Sequence, residues 1–508
     1  MRFLFLLFIL PLLAACRPAD PPPPRVGVHT LPADRHTLAL AAEGGFDAVV
    51  ELFSWRQIEP TRDQWHWQLP DEVVAGAAYY GLDLVVRLDQ HPAWASDVPL
   101  TLNAPPDDLA DYVRFVGRVA ERYRGRVLGY VIWNEPNLAI DWGGRPPDPK
   151  AYTDMLCRAY TAVKAADPDA LVAAAGLAPT DHNDAEAMDE RLFLRAMLEA
   201  GAGQCFDVLA AHPYGFGQPP DAPRSANNGL VMARVEDLRA LLVEHGLRDR
   251  PIWATELGWT VDRQGSQGWQ AVSEEQQAAY LAQTLEVAAQ RWPWMTLLAV
   301  WNLPSVDGPG GERPPERLPA DFLGYSLVDP EGRPRPAYYR LQALNRSRPR
   351  GDRPQPRPTL SADAAVRVPV LAADAVVHLG DSDFSRPWAP LYAARNPSVV
   401  WRGVAYVPDE ALADGRPWRL SLLAMQSNVW DNYLWINGRR LEPPLPVEDF
   451  GGQWVRVTWE VPAAWLQGGP NELALTIGRT HPLLADLRFA WDDLQIKDAV
   501  LWSVNGER

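Results

Sequence analysis

The sequence predicts an α/β protein, a (β/α)8 TIM barrel followed by an all-β jelly-roll or sandwich domain. Three observations support this prediction. Eight short apolar runs alternate with helical patterns between residues 25 and 345. A segment rich in proline and arginine, NRSRPRGDRPQPRPTL at 345–360, then interrupts the alternation. Beyond it the helical patterns stop and short strand-like segments dominate.

The eight apolar runs are typical of parallel strands covered on both faces, because their apolar residues are continuous rather than alternating. The runs are RVGVH (25–29), FDAVVELF (46–53), LDLVVRL (82–88), VLGYVIWNE (127–135), ALVAAAGL (170–177), FDVLAAHPY (206–214), PIWATELGW (251–259) and MTLLAVWN (295–302). Amphipathic segments separate them, such as 107–123, and 273–292, which Ser273 and Gln276 open in capping-box register. Eight such units fit a closed barrel. The alternative is a doubly wound open sheet, but no glycine-rich phosphate loop follows the first run.

The N-terminal segment, MRFLFLLFILPLLAAC, is typical of an export signal. One basic residue precedes an apolar run too short to cross a hydrocarbon layer of about 30 Å. The run ends in Leu13-Ala14-Ala15-Cys16, which resembles the lipobox of bacterial lipoproteins. That resemblance implies cleavage before Cys16, lipidation of its thiol and anchoring at the cell envelope. An ordinary secretory signal is the alternative.

The predicted organisation is therefore a signal peptide (1–15), a proline-rich tether (16–24), the barrel (25–345), a linker (346–360) and the β domain (361–508). The formal net charge of −16 argues against nucleic acid as a partner, since phosphates would be repelled. Cys157 and Cys205 are expected to be buried free thiols rather than a disulfide or metal ligands. The 22 tryptophans favour a carbohydrate ligand, because indole rings stack on the apolar faces of sugars.

The residues that end the strands of such a barrel converge on one face, where the reacting groups lie. The fourth run ends in Glu135, directly before a proline, so Glu135 is expected to be extended and to close its strand. The seventh run carries a second lone acid, Glu256. Other strand ends supply polar and aromatic groups: Asn134, His212, Tyr214, Trp301 and Asn302. Two carboxylates facing each other across a cavity are what cleavage of a glycosidic bond requires.

Four motifs, WNEP (133–136), HPY (212–214), TELGW (255–259) and WN (301–302), carry a resemblance to a known group. In this order and on these strands they resemble the retaining glycoside hydrolases of clan A, the 4/7 superfamily. LGYSLVDPEGRPRPAYYRLQAL (323–344) resembles the closing segment of family 39. Family 5 is the near alternative. The resemblance covers the whole barrel and implies an O-glycosyl hydrolase.

The resemblance also implies roles for individual residues. Glu135 would be the general acid/base and Glu256 the nucleophile. Asn134 would bind the sugar 2-hydroxyl, Tyr214 with His212 nearby would orient Glu256, and Trp301 would form the floor of the −1 subsite. His91, after the third run, matches the pattern less securely, and it is either a substrate-binding or a structural residue. The expected outcome is retention of configuration on a β-linked oligo- or polysaccharide, with no metal or cofactor required.

The Asn437-Gly438 pair predicts a two-residue hairpin turn in the C-terminal region. The segments LWINGRRL (434–441), 454–478 and FAWDDLQI (489–496) resemble galactose-binding-like jelly rolls. Such a domain either binds carbohydrate or braces the barrel, and the sequence favours neither. Two functional alternatives also stay open. One is a non-catalytic carbohydrate-binding surface lipoprotein on a degenerate barrel, and the other is a transglycosylase that uses the same two carboxylates.

Overall fold

A computed structural model describes residues 23–305, 320–348, 366–380, 400–413, 415–425, 431–446, 454–478 and 493–503. The predicted signal peptide with Cys16, nearly all of the tether and most of the linker lie outside the described residues, so the expectations about them stay predictions. Among the helices that are described, none is both long and apolar enough to cross a membrane.

Eight parallel strands close into a barrel, which confirms the predicted fold class. Each strand pairs with its neighbour in sequence order, and the last pairs with the first. The strands are β1 (Arg25–Leu31), β2 (Ala48–Leu52), β3 (Asp83–Leu88), β4 (Gly129–Ile132), β5 (Leu171–Leu177), β6 (Val208–Ala211), β7 (Ile252–Leu257) and β8 (Met295–Pro304).

Helices alternate with these strands along the chain. Five of them begin at a residue whose side chain caps the first turn. In one, the Asp108 carboxylate accepts from the Ala110 N–H, and in another Ser273 with Gln276 forms the predicted capping box. The helices are α1 (Arg35–Glu43), α2 (Trp55–Ile58), α3 (Gln68–Tyr80), α4 (Leu109–Arg122), α5 (Pro149–Ala166), α6 (Glu190–Glu199), α7 (Val235–Glu244), α8 (Glu274–Arg291), α9 (Ala320–Tyr325) and α10 (Pro336–Ser347).

The interior of the barrel is a packed apolar core and not a channel. Inward-facing residues of the strands form their own buried cluster, comprising Ala48, Val50, Val85, Val131, Ala173, Val208, Ala210, Trp253, Leu297 and Ala299. Gly129 makes room for the largest of them, since a Cβ there would lie 2.8 Å from the Trp253 ring. Substrate can therefore reach the barrel only at its mouth, where the strands end.

Cys157 and Cys205 form a disulfide, so the expectation of free thiols was wrong. Cys157 lies on α5 and Cys205 follows a short 3-10 helix (Ala202–Gln204), with Cα atoms 4.7 Å apart. The helix and the loop before β6 meet only in the folded barrel, and no local spacing in the sequence signals their contact. The bond ties α5 to the segment that enters β6 from the end opposite the mouth.

Reducing this disulfide should lower the free energy of unfolding by about 4 kcal/mol, because the bond closes a loop of 48 residues in the unfolded chain. Urea titrations of the oxidised and reduced protein measure the difference. The double variant Cys157→Ser, Cys205→Ser should match the reduced protein and should not respond to reductant. Equal midpoints for the oxidised and reduced forms would contradict the prediction.

The described C-terminal strands form two antiparallel sheets, as expected of a jelly roll or sandwich. One sheet has the order β10-β17-β12-β15 with β9 paired to β17, and the other has the order β11-β16-β13-β14. Asn437 and Gly438, both with positive φ, form the predicted two-residue hairpin turn. The strands are β9 (Arg367–Leu371), β10 (Val377–Gly380), β11 (Val400–Val407), β12 (Trp418–Met425), β13 (Tyr433–Ile436), β14 (Arg439–Arg440), β15 (Val455–Val461), β16 (Gly469–Thr476) and β17 (Asp493–Ser503).

The β domain packs on the barrel through β11 and α3. The Trp401 indole N–H donates to the Gln68 side chain over 3.2 Å. Gly76 of α3 lies so close to the β domain that a Cβ there would be 2.6 Å from the Tyr406 hydroxyl oxygen. Contacts of this kind support a bracing role for the β domain.

Candidate active site

A strained turn, and not the strand itself, positions Glu135. β4 ends at Ile132, and both Trp133 (φ +73°) and Glu135 (φ +37°) adopt left-handed backbone conformations. The expectation that Glu135 is the extended last residue of its strand was therefore wrong. The turn is held by N–H donation from Trp133 to the Leu88 carbonyl and from Glu135 to the Gly176 carbonyl, each over 3.1 Å. These hydrogen bonds to neighbouring strands offset the strain of the turn, and the turn fixes the direction of the Glu135 carboxylate.

Glu256 lies within β7, as predicted, and its side chain is only 7% exposed. Two donors contact its carboxylate, one at each oxygen. The Tyr214 hydroxyl donates to Oε2 over 2.8 Å. The Arg87 guanidinium donates to Oε1 over 2.8 Å. Both contacts favour the ionised form of Glu256, since a hydrogen bond or a cation stabilises the negative charge.

His212 brings the two predicted carboxylates together. Its Nδ1 is 2.7 Å from Glu135 Oε1 and 3.7 Å from Glu256 Oε2. One facing atom from each of these three residues lies within 4.8 Å of the others. The His212 ring is buried against Gly176, where a Cβ would be 2.1 Å from Nε2, so only glycine leaves room for the ring. His212 was expected beside Glu256, but its hydrogen bond is with Glu135.

Arg87, on β3, is a functional residue that the sequence analysis missed. Its Nη1 reaches both Glu256 and, over 3.1 Å, the Asn134 Oδ1. Its Nε lies 2.8 Å from the Asp89 carboxylate. The signal was a cation inside the apolar run LDLVVRL. A buried arginine requires acidic partners, and the ends of nearby strands were the place to look for them.

Trp301 lies within β8, three residues before the strand ends at Pro304, on the side of the same mouth. Its ring packs edge-on against His29 of β1, with centroids 4.6 Å apart, and against Phe322 of α9, with centroids 5.6 Å apart. The peptide bond between Trp301 and Asn302 is cis. His29, which the sequence analysis did not select, is buried with its Nε2 3.9 Å from Glu256 Oε1.

His91 contacts backbone groups of its own loop. Its Nε2 is 3.0 Å from the Val98 carbonyl oxygen, and its Nδ1 accepts from the Ala104 N–H over 3.1 Å. The side chain is fully buried. With both ring nitrogens engaged by the segment between β3 and α4, these contacts support the structural alternative for His91.

At the barrel mouth, the pKa values of Glu256 and His212 are set by two effects, burial and the charges of neighbouring groups. Burial raises the pKa of Glu256, and the nearby Glu135 adds to the rise, whereas His212, Arg87 and the Tyr214 hydroxyl oppose it. For His212, burial alone would lower the pKa, but Glu256 and Glu135 outweigh it, so the pKa is raised. The charge on Glu256 and the charge on His212 therefore favour each other.

Within the described part of the chain, Glu135, His212 and Glu256 are also the one cluster with the proximity needed to hold a metal ion. The donor set fits such an ion poorly. The Arg87 guanidinium already contacts Glu256, and the raised pKa of His212 favours a proton on the nitrogen that would have to bind the metal.

A separate cavity of about 310 Å³ lies against the outer side of the barrel, between β2 and α3. Its lining includes Glu51, Ser54, His66 and Glu72 but neither of the facing carboxylates. Burial raises the pKa of Glu51 to about 8, and its carboxylate accepts from the Ala33 N–H over 2.9 Å. This cavity is distinct from the mouth, where the paired acids lie.

No known family model and no curated protein matches the sequence. Three solved structures illustrate what the fold is similar to. A family 39 glycoside hydrolase from Bacteroides cellulosilyticus WH2 is 17% identical, with a TM-score of 0.49 over 90% of this chain and 82% of that chain. GH5_18 from Streptomyces cattleya in complex with GlcNAc is 20% identical, with a TM-score of 0.48 over 66% and 83%. Xylanase 10B from Thermotoga maritima is 15% identical, with a TM-score of 0.41 over 63% and 94%. Because these sequence identities and TM-scores are low, the function is inferred from the geometry of the site.

Proposed function

We propose that the chain is a retaining glycoside hydrolase that cleaves β-linked O-glycosidic bonds by double displacement. The observation that carries this proposal is the approach of Glu135 and Glu256 at the barrel mouth, where facing oxygens lie within 4.8 Å. Retaining enzymes hold their two carboxyl groups about 5–5.5 Å apart, whereas inverting enzymes need about 6.5–9.5 Å to admit a water molecule. The observed approach supports retention.

In the first step Glu256 attacks the anomeric carbon while Glu135 gives its proton to the departing glycosidic oxygen. The bond from that carbon to Glu256 forms as the bond to the leaving oxygen breaks. Tyr214 and Arg87, which donate to Glu256 over 2.8 Å each, keep it ionised and fix its orientation before the attack.

In the second step Glu135 acts as the base. Glycosylation removes the charge of Glu256, so the now ionised Glu135 can take a proton from water while the water oxygen attacks the same carbon. The bond from that carbon to Glu256 breaks as the new bond forms, which releases Glu256 as a carboxylate. Its side chain is 18% exposed, which gives water access. His212, 2.7 Å away, holds the carboxylate in place in both steps. Both acids return to their starting protonation states.

Asn134 and Trp301 bind the sugar in this scheme. Arg87 donates to Asn134 Oδ1, which directs the side-chain NH2 group to donate to the sugar hydroxyl beside the scissile bond. Trp301 supplies the apolar floor under the reacting ring, supported edge-on by His29. His91 acts indirectly, because its ring nitrogens order the loop after β3.

We also propose that the protein is exported and anchored to the cell envelope through a lipid on Cys16. Support comes from the apolar N-terminal segment and from the Cys157–Cys205 disulfide, since disulfides persist mainly in oxidising compartments. Radiolabelled palmitate should be incorporated by the full-length chain and not by Cys16→Ser.

The proposal is tested by hydrolysis of a panel of aryl β-glycosides and β-linked polysaccharides, with Glu256→Ala as the inactive comparison. Proton NMR of the first-formed product should show the β anomer, as retention requires. If the wild-type protein turns over no member of the panel yet binds sugars, the non-catalytic interpretation replaces this one. A first-formed α anomer would overturn the double displacement.

Replacing Tyr214 with phenylalanine should shift the acidic limb of the pH–activity profile upward. Activity falls as the pH drops through the pKa of Glu256, because the nucleophile must be ionised. Loss of the hydroxyl removes a donor to the charged form, so the pKa of Glu256 should rise further. The profile of kcat/KM against pH measures the shift. Tyr325→Phe is the matched control, since that hydroxyl donates to Gln267 and should leave the limb in place.

A further inference from the structure

Exposed apolar side chains lie on two opposite sides of the barrel mouth. Seven large apolar residues of the described chain are exposed, and four follow the ends of barrel strands: Leu100, Ile140, Trp269 and Phe322. They come after β3, β4, β7 and β8 respectively. In the closed barrel β3 and β4 are four strands away from β7 and β8, so the two pairs face each other across the mouth. Exposed apolar surface beside a reactive site is typical of a ligand-binding groove.

Trp269 is the most exposed of these residues, at 65%. It lies in the segment between β7 and α8, and its ring stacks beside Phe216, with centroids 6.4 Å apart and planes inclined by 21°. Phe216 belongs to the segment after β6. Two long connections thus hold a pair of stacked aromatic rings together, and the Trp269 ring is open to solvent; we name the pair the Trp269 platform (Trp269 and Phe216).

The segment between β7 and α8, which carries Trp269, is held in place by contacts with residues beside the active site. The Tyr325 hydroxyl lies 2.6 Å from the Gln267 side-chain oxygen. Ser266 donates to Asp321 over 2.7 Å. Gly217 (φ +75°) fits against Gln270, where a Cβ would lie 3.0 Å from the carbonyl oxygen. A surface fixed in this way loses little conformational entropy when a ligand binds to it.

The same contacts link the platform to the nucleophile. Phe216 follows Tyr214 by two residues, so their Cα atoms are at most about 7 Å apart. Tyr214 donates to Glu256, and its ring packs edge-on against Tyr325, with centroids 5.4 Å apart. The platform thus continues the wall on the Glu256 side of the mouth, beyond the place of the reacting sugar.

We infer that the Trp269 platform stacks a sugar unit remote from the bond being cleaved, so that the substrate is a chain of several β-linked sugar units lying across the mouth. This inference rests on the proposed function and names the substrate class of the same site. Pyranose rings have flat apolar faces that match an indole surface, and the opposite apolar pair, Leu100 and Ile140, marks where the chain would leave the groove.

The test compares Trp269→Ala with wild type on β-1,4-linked hexasaccharides of glucose, xylose and mannose and on the matching aryl monoglycosides. The KM for the best hexasaccharide should rise about 5- to 15-fold, while kcat/KM for the monoglycoside stays within about twofold. Trp269→Tyr should restore most of the affinity. Tyr339→Ala, which removes another exposed aromatic ring from α10, is the matched control and should change neither value. An unchanged hexasaccharide KM in Trp269→Ala would overturn the inference.

Binding measurements separate this outcome from failure of the proposed function. In the Glu256→Gln background, calorimetry of the same hexasaccharides should show the same loss of affinity on adding Trp269→Ala. If the wild-type protein hydrolyses nothing but this loss appears, the platform stands and the hydrolase proposal fails. If the wild-type protein hydrolyses the hexasaccharides and Trp269→Ala binds them normally, the hydrolase proposal stands and the platform fails.

Discussion

Glu256→Gln should lower kcat by at least about 10⁴-fold while leaving the fold and sugar affinity close to wild type. Glutamine keeps the volume of the side chain. Its amide oxygen can accept from Arg87 and its NH2 group can donate to the Tyr214 hydroxyl, but the amide cannot form the covalent intermediate. The loss should therefore appear in kcat and not in the binding constant. Steady-state kinetics on an aryl glycoside, with calorimetry of a hexasaccharide, measures both quantities.

Glu51→Gln is a matched control for this prediction. Glu51 is also a buried glutamate on a strand of the same barrel, but alternation along β2 places it on the side opposite the inward-facing Val50. Burial raises its pKa to about 8, so it is largely neutral at pH 7, as glutamine is. The activity of Glu51→Gln should stay close to wild type, because the glutamine amide oxygen can still accept from the Ala33 N–H and the site of Glu256 is not altered. An equal loss in both variants would mean that the barrel responds to the substitution itself and that Glu256 has no special role.

The sequence was informative wherever a local pattern determined the structure. Continuous apolar runs predicted all eight barrel strands, and the Asn437-Gly438 pair predicted a hairpin turn that the structure confirms. The lone acids Glu135 and Glu256 were identified because a charged residue at the end of an apolar run is costly unless it has a use. The structure places both at the barrel mouth.

The features that were missed depend on contacts between distant segments. Glu135 departs from the extended geometry expected before a proline, because the carbonyl of Gly176 on another strand accepts its N–H. His212 bonds Glu135 rather than Glu256, and no one-dimensional pattern states which of two nearby acids a ring nitrogen will meet. The disulfide joins a helix to a loop 48 residues away. In each case tertiary packing determines the structure and overrides the local preference of the sequence.

Arg87 shows what a sequence can signal without specifying a partner. A cation within a strand that is otherwise apolar must be neutralised, so its presence in LDLVVRL indicated acidic neighbours. Asp89, two residues further along the chain, is one such neighbour, and the closed barrel provides the other, Glu256, 169 residues away in sequence. The need for acidic partners was visible in the sequence, whereas the contact with Glu256 required the closure of the sheet.

Glu135→Ala should lower kcat/KM by about 10²- to 10⁴-fold on substrates with a poor leaving group, such as an unactivated disaccharide, because the departing oxygen then receives no proton. Dinitrophenyl glycosides need no such proton, so their first step should be nearly unaffected and the glycosyl-enzyme should accumulate for lack of a base. The Glu135 side chain is 18% exposed, so azide can enter the space it vacates and attack the intermediate. Added azide should therefore raise turnover of the dinitrophenyl substrate and yield the β-glycosyl azide.

His212 loses its hydrogen-bond partner in this variant, and Glu135→Gln, which can still accept from Nδ1, separates that structural effect from the loss of the proton. A loss of the same size for every leaving group, with no response to azide, would show that Glu135 neither protonates the leaving oxygen nor activates the water, and that His212 between the two carboxylates serves another reaction.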